Sequence, residues 1–254
     1  MKIITWNCNM AFRKKAHLLL AHQPDILVLQ ECESAEKLIF DADVPQPTDV
    51  LWFGNNKHKG LAILSYNGIK LKLIKGHNPD LRTIVPVRVI DGKRKFTLLA
   101  IWANNPEDPD GQYVEQVWKA LHHYDKLLLP RRTMLTGDFN SNTIWDRKRR
   151  EGNHSAVVKY LEEKRIHSAY HLHHEQVQGN EAHPTFYLYR HQDRPYHLDY
   201  CFVSADIAEQ ITLVEVGDHA FWTQYSDHVP VMITFDANNL KQKRITLKKS
   251  KPTR

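Results

Sequence analysis

The chain has 254 residues, 42% hydrophobic and 25% charged, with a formal net charge of +6. That length admits one large α/β domain or two small ones, and no run of 18 apolar residues offers a membrane-spanning helix. Seven of the 35 Lys/Arg fall in residues 241–254, which carry no acid, so the remainder is close to neutral.

In chain order, Met1-Lys2 leads straight into Ile3-Ile4-Thr5-Trp6, a strand rather than a signal peptide. Alternating or continuous apolar runs bounded by turn residues predict strands over 2–6, 25–30, 60–66, 83–89, 96–103, 133–136, 198–204, 211–216 and 229–235. Helical spacing covers 12–22 and, more strongly, 112–129, where Val114, Val117, Trp118, Leu121, Tyr124 and Leu128 share a face. Asn153 or Ser155 can cap a third helix to about Lys164, with Val157, Val158 and Leu161 inward. Helices between groups of strands predict two sheets covered by helices. No repeat or composition break precedes about Asp236, so one domain (1–236) and a basic tail (237–254) are expected. The tail has two readings, a phosphate-binding arm and a disordered solubilising end. Cys8, Cys32 and Cys201 show no metal spacing, which with the strand-like start suggests reduced thiols and a cytoplasmic protein.

Polar clusters flank these strands, where α/β proteins assemble their sites. Asn7 in Trp6-Asn7-Cys8-Asn9 can donate to a phosphoryl oxygen or form a turn. Glu31 in Gln30-Glu31 follows so apolar a strand that its charge needs a partner or a cation, and Mg²⁺ suits a carboxylate. In Thr136-Gly137-Asp138-Phe139-Asn140, Asp138 and Asn140 lie on one side of an extended chain, one to handle a water and the other a phosphoryl oxygen. Asp199 in His197-Leu198-Asp199-Tyr200 can orient His228 in Ser226-Asp227-His228. His167, His171, His173 and His174 admit a zinc site on a helix but read equally as a strand without further ligands.

Taken together and in this order, the Trp-Asn, Gln-Glu, Gly-Asp-Phe-Asn, Leu-Asp-Tyr and Ser-Asp-His clusters resemble the endonuclease/exonuclease/phosphatase superfamily over Lys2 to about Phe235. That group includes exonuclease III, abasic-site endonucleases, DNase I, sphingomyelinases, inositol polyphosphate 5-phosphatases and deadenylases. The resemblance implies a DNase I-like α/β fold, a four-layer αββα sandwich of two packed mixed sheets. It implies Glu31 as the principal Mg²⁺ or Mn²⁺ ligand, with Asp227 and Asn9 near the metal, and Asp138 as the group that positions or deprotonates water. Asn7, Asn140 and His228 are then phosphoryl contacts, and Asp199 orients His228. Trp102 stands where relatives carry a phosphate-contacting Tyr or His, Asn105 matches the asparagine of that loop, and His197 replaces an Arg.

For substrate, the run Arg147-Lys148-Arg149-Arg150 suggests phosphate contacts through Arg147 and Arg149, and Trp145, Trp222 and Tyr225 are candidates to stack on bases. The Trp-Cys-Asp-Arg motif of inositol phosphatases is absent. The expectation is a monomeric metal-dependent nuclease resembling exonuclease III, acting on DNA in a repair role and not on membranes. The alternatives are a phosphodiesterase for a small phosphorylated molecule or lipid headgroup, and a non-catalytic nucleic-acid-binding module.

Overall fold

Alternation of side chains decides how the strands stack. The computed structural model describes residues 1–104, 113–146 and 151–240. Its elements begin with β1 (Lys2–Asn7), α1 (Ala16–Leu20), β2 (Ile26–Cys32), β3 (Asp49–Asn56), β4 (Lys59–Ser65), β5 (Lys70–Leu73), β6 (Ile84–Asp91) and β7 (Arg94–Trp102). There follow α2 (Val114–His123), β8 (Thr133–Asp138), α3 (His154–Glu163), β9 (Ile166–Ser168), α4 (Ala169–His174), β10 (Phe186–Tyr187) and β11 (Pro195–Tyr196). The described chain closes with β12 (Asp199–Ser204), α5 (Ala205–Ala208), β13 (Ile211–Val216), α6 (His219–Trp222) and β14 (Val231–Phe235).

One six-stranded sheet has the order β13-β14-β1-β2-β4-β3 and the other β5-β6-β7-β8-β12-β9. Each is mixed, because β1–β2 and β7–β8 are parallel while their neighbours are antiparallel. Ile3, Val28 and Ile63 of the first sheet meet Val87, Leu98, Ala100 and Met134 of the second in the central core. The alternate residues point the other way. Ile4, Trp6 and Leu27 pack under Phe12 and Leu19, and Leu99, Leu135 and Phe202 pack under Val117, Leu121, Val157 and Leu161 of α2 and α3. The result is the expected helix–sheet–sheet–helix sandwich.

The nine anticipated strands form, although the last begins at Val231, because Val229 N donates to Thr185 O rather than joining the ladder. The strands β3, β5 and β9 and the two-residue strands β10 and β11 are not anticipated. β3 and β5 sit at sheet edges, where half-buried residues such as Lys70-Leu71-Lys72 leave a weak pattern. The predicted helix over 112–129 is shorter: α2 ends at His123 and a 3-10 turn over Asp125–Leu127 follows, while Gln112 lies outside the described residues. Asn153 caps α3 by accepting from Ala156 N at 2.9 Å. The Tyr170-His171-Leu172-His173 run is helical, not extended. Of the tail, residues 241–254 lie outside the described residues.

Candidate active site

Strand ends from both sheets converge at one edge of the sandwich. β1 delivers Asn7, β8 delivers Asp138, and antiparallel pairing sets Asp199 opposite Asp138. Gly137 makes this approach possible. Its φ is 147°, and a Cβ there would lie 1.8 Å from the Ile101 carbonyl oxygen, so any side chain would push β8 off β7. Gln30, fully buried, ties the sheets together by donating to Thr5 Oγ1 at 3.0 Å and Ile101 O at 3.2 Å.

Asp138 is buried and accepts three hydrogen bonds: from Asn140 N at 2.9 Å, Asn140 Nδ2 at 3.0 Å and Asn7 Nδ2 at 3.1 Å. β8 ends at Asp138, so Asn140 reaches it not along an extended strand but by a turn with φ 46° at Asn140. Burial is the largest influence on the carboxyl and raises it to about 7; His228 opposes the rise and Asp199 adds to it. His228 Nδ1 lies 2.8 Å from Asp199 Oδ2. Burial opposes the imidazolium, but the Asp199 and Asp138 carboxylates outweigh it and raise the group to about 10. The ring is therefore a cation at neutral pH. Its Nε2 is 3.9 Å from Asp138 Oδ2, too long for a hydrogen bond, which leaves that N–H free to donate to a third group. The Asp199 backbone N donates to Thr185 Oγ1, and Trp6 Nε1 donates to His228 O at 2.9 Å, fixing both partners.

Glu31 sits apart from this cluster in contact. The pairing of β2 with β4 slips between Leu29 and Cys32, and Glu31 takes φ 56°. Such a bulge re-aims a side chain, and the carboxylate turns to a groove it shares with Lys59, Trp102 and Asn140. Lys59 Nζ lies 3.0 Å from Glu31 Oε1.

Whether a divalent cation fits can be judged from these donors. Asp138, Asp199 and His228 bring ligand atoms within 4.8 Å of one another, the one such group of three among the described residues. Their atoms are largely spent on each other, as the hydrogen bonds above show, although Asp199 Oδ1 is buried without a partner. Glu31 is the better hard-oxygen ligand, since its carboxylate already holds a positive group, the Lys59 ammonium, by charge alone. Asn9 and Asp227 lie on the loops on either side of Asn7 in space: Asn9 N donates to Asn7 Oδ1 at 3.2 Å, and Asp227 is half-buried beside Ser226, whose Oγ donates to Asn7 O at 2.7 Å. The Glu31 carboxylate suits a hard divalent cation.

Other expected site residues fall elsewhere. Trp102 is buried at the groove floor, its ring centroid 5.6 Å from Lys59 Nζ. Trp222 is not available for stacking, because it is buried against Trp6, ring centroids 5.2 Å apart. His197 is likewise buried; its Nδ1 meets His183 O at 2.7 Å and its ring packs on Tyr170, so it supports the start of β12 from behind. Asn105, Arg147 and Arg149 lie outside the described residues. Of the four histidines, His171 pairs with Glu181 and His174 with Val214 O, and none of the four joins a group of three metal-ligating side chains among the described residues.

Sequence reasoning missed three residues. Lys59 carries no motif. Lys15 donates to Cys8 O at 2.6 Å and Tyr225 O at 2.7 Å, clasping the Asn7 and Asp227 loops, yet reads as one more helix lysine. Phe186 packs 4.7 Å from the His228 ring, and its β-bridge to His228 left only a Thr-Phe-Tyr run as a signal.

The family model described as Endonuclease/Exonuclease/phosphatase family matches residues 4–228. No curated protein matches the chain. Among solved structures, a 3'-5' exonuclease (NExo) from Neisseria meningitidis has a TM-score of 0.63 at 24% identity, over 93% of this chain and 100% of that one. An AP endonuclease from Archaeoglobus fulgidus has a TM-score of 0.63 at 20% identity, covering 93% and 99%. The AP endonuclease LMAP from Leishmania major has a TM-score of 0.64 at 14% identity, covering 91% and 86%. At these identities the likeness establishes a common fold.

Proposed function

Because the chain belongs to the endonuclease/exonuclease/phosphatase family, we propose that it is a divalent-metal-dependent phosphodiester hydrolase that cuts DNA. The observation that carries this reading is the Asp138–His228–Asp199 arrangement, a carboxyl raised to about 7 beside an imidazolium with one unused N–H.

In this reading the scissile phosphoryl group sits between Asp138 and His228. Asp138, with a proton affinity matched to neutral pH, orients a water and takes its proton. His228 donates from Nε2 to a phosphoryl oxygen, and Asp199 holds the ring in place and stabilises its charge. Asn7 and Asn140 orient Asp138; Asn7 keeps a second amide hydrogen for a phosphoryl oxygen, whereas Asn140 spends both of its own on Asp138 and Ala103 O and acts by positioning. Glu31, with Asp227 and Asn9 as the further candidates, would hold a divalent cation, Mg²⁺ or Mn²⁺, which would supply Lewis-acid charge neutralisation. Phosphoryl displacement needs positioning and charge neutralisation above all, which fixed, buried donors provide. DNA is favoured over a small phosphodiester because similar structures include an exonuclease and AP endonucleases, and because the basic run 147–150 follows Asn140 closely in sequence. We further propose a monomer acting in the cytoplasm.

The test is cleavage by purified protein with Mg²⁺ or Mn²⁺, with EDTA and Asp138→Asn as controls. Substrates are end-labelled single- and double-stranded DNA, abasic duplex, RNA and bis-p-nitrophenyl phosphate. Metal-dependent DNA cutting that Asp138→Asn abolishes is the expected result. Hydrolysis of the small diester alone would overturn the nuclease assignment.

A further inference from the structure

A groove of about 700 Å³ opens beside Glu31 and Asn140, joined to the cluster above through the Asn140–Asp138 hydrogen bond and within the size range of small-ligand sites. Half-buried Trp52 gives it aromatic surface, Lys59 and Arg82 give it positive charge, and buried Trp102 lies beneath Lys59. Lys59 is shared, 3.0 Å from Glu31 Oε1 and 5.6 Å from the Trp102 ring centroid, with 41% of its side chain exposed. Arg82 is exposed and has no acidic partner among the described residues. It also stands at φ 42°, a conformation L side chains rarely adopt and one that tends to persist at functional sites. His77 lines the groove too, but burial keeps its imidazole below its ordinary range and Nδ1 is engaged with the Tyr124 hydroxyl, so it adds no charge at neutral pH.

Flat aromatic surface next to two cations complements a ligand with a ring at one end and an anion at the other. We propose that this groove binds the nucleotide next to the scissile phosphodiester in the substrate strand. Lys59 and Arg82 hold that nucleotide's own phosphate, and Trp52 faces its base or sugar. The assignment rests on the nuclease reading of the neighbouring cluster. It adds to it a reason for preferring a strand over a compact phosphodiester, since a molecule with one phosphate leaves the second anion site idle.

The experiment is fluorescence anisotropy of labelled oligothymidylate and oligouridylate in EDTA, so that nothing is cut, over a series of salt concentrations. Removing one cation that neutralises a phosphate of a single strand lowers the slope of log K against log salt by ~0.7. Arg82→Gly is the main variant, because glycine adopts φ 42° without strain and the fold is retained. Arg82→Gly and Lys59→Met should each lower the slope by that amount with either oligonucleotide, and Lys59→Arg should restore it. A slope for Arg82→Gly equal to that of the parent protein overturns the groove assignment while leaving the nuclease reading standing. Failure of the parent protein to bind either oligonucleotide also overturns the groove assignment, and the nuclease reading falls with it only if the metal-dependent cleavage assay is negative as well.

Discussion

Asp138 and His228 share one buried space and titrate far from their ordinary values, for reasons that can be tested one residue at a time. With the carboxyl at about 7 and the imidazolium at about 10, kcat/KM should rise with pH as Asp138 loses its proton and fall again as His228 does. A profile for bis-p-nitrophenyl phosphate that stays flat through neutral pH would contradict a basic role for Asp138. For stability the sign is opposite. A carboxyl raised from 3.8 to about 7 contributes stability that is present below the lower value and lost as pH rises through the upper one. Asp199→Asn keeps the shape but removes the charge that supports the imidazolium. Turnover should fall by about 10³-fold or more with little change in melting temperature. Undiminished turnover would remove Asp199 from the mechanism.

At the scale of elements, the segment between α4 and β10 works as a brace behind β12. Glu181 accepts from His171 Nε2 at 3.1 Å, Gly179 N at 3.0 Å and Asn142 Nδ2 at 3.1 Å. Asn142 in turn donates to His197 O and Tyr200 Oη, so the brace reaches both neighbours of Leu198-Asp199. Burial opposes the Glu181 charge, but the His171, Gly179 and Asn142 donors win and bring the carboxyl down to about 2. Its stabilisation is therefore present above 4.5, its ordinary value, and is lost as pH falls through about 2. Glu181→Ala strands these donors and should cost ~3 kcal/mol at neutral pH, shrinking toward pH 2. Thermal unfolding at both pH values checks this; identical melting temperatures at neutral pH would refute it. On α4 the brace engages His171, through Ser168 and Glu181, and the neighbouring His174 meets Val214 O, while His173 is exposed.

For the molecule as a whole, charge is distributed unevenly, with seven basic residues and no acid in 241–254. If this tail contributes to DNA binding, truncation after Leu240, which spares the packed Ala237 and Leu240, should weaken affinity and flatten its salt dependence. An unchanged salt slope leaves the tail a solubilising end. Both sheets and their helical covers were legible in advance. Ile3/Ile4 and Leu27/Val28 alternate between two apolar environments, and that pattern survives any detail of loop geometry. The edge strands β3 and β5 were not legible, because a half-buried strand needs only a few apolar residues.

The sequence by itself determined the order of polar clusters after apolar strands, and with it the family, and offered Asn7, Glu31, Asp138, Asn140, Asp199 and His228 as candidates for the site. A strand-end position and a residue type are local properties, so a single chain displays them. Only the tertiary structure decided which of these residues touch. It brought Asp138, Asp199 and His228 within 4.8 Å, turned Glu31 aside through a bulge to meet Lys59, and withdrew Trp222 and His197 into packing. Those outcomes depend on register between distant strands and on left-handed backbone at Glu31 and Asn140, neither of which leaves a mark on the spacing of residues along the chain.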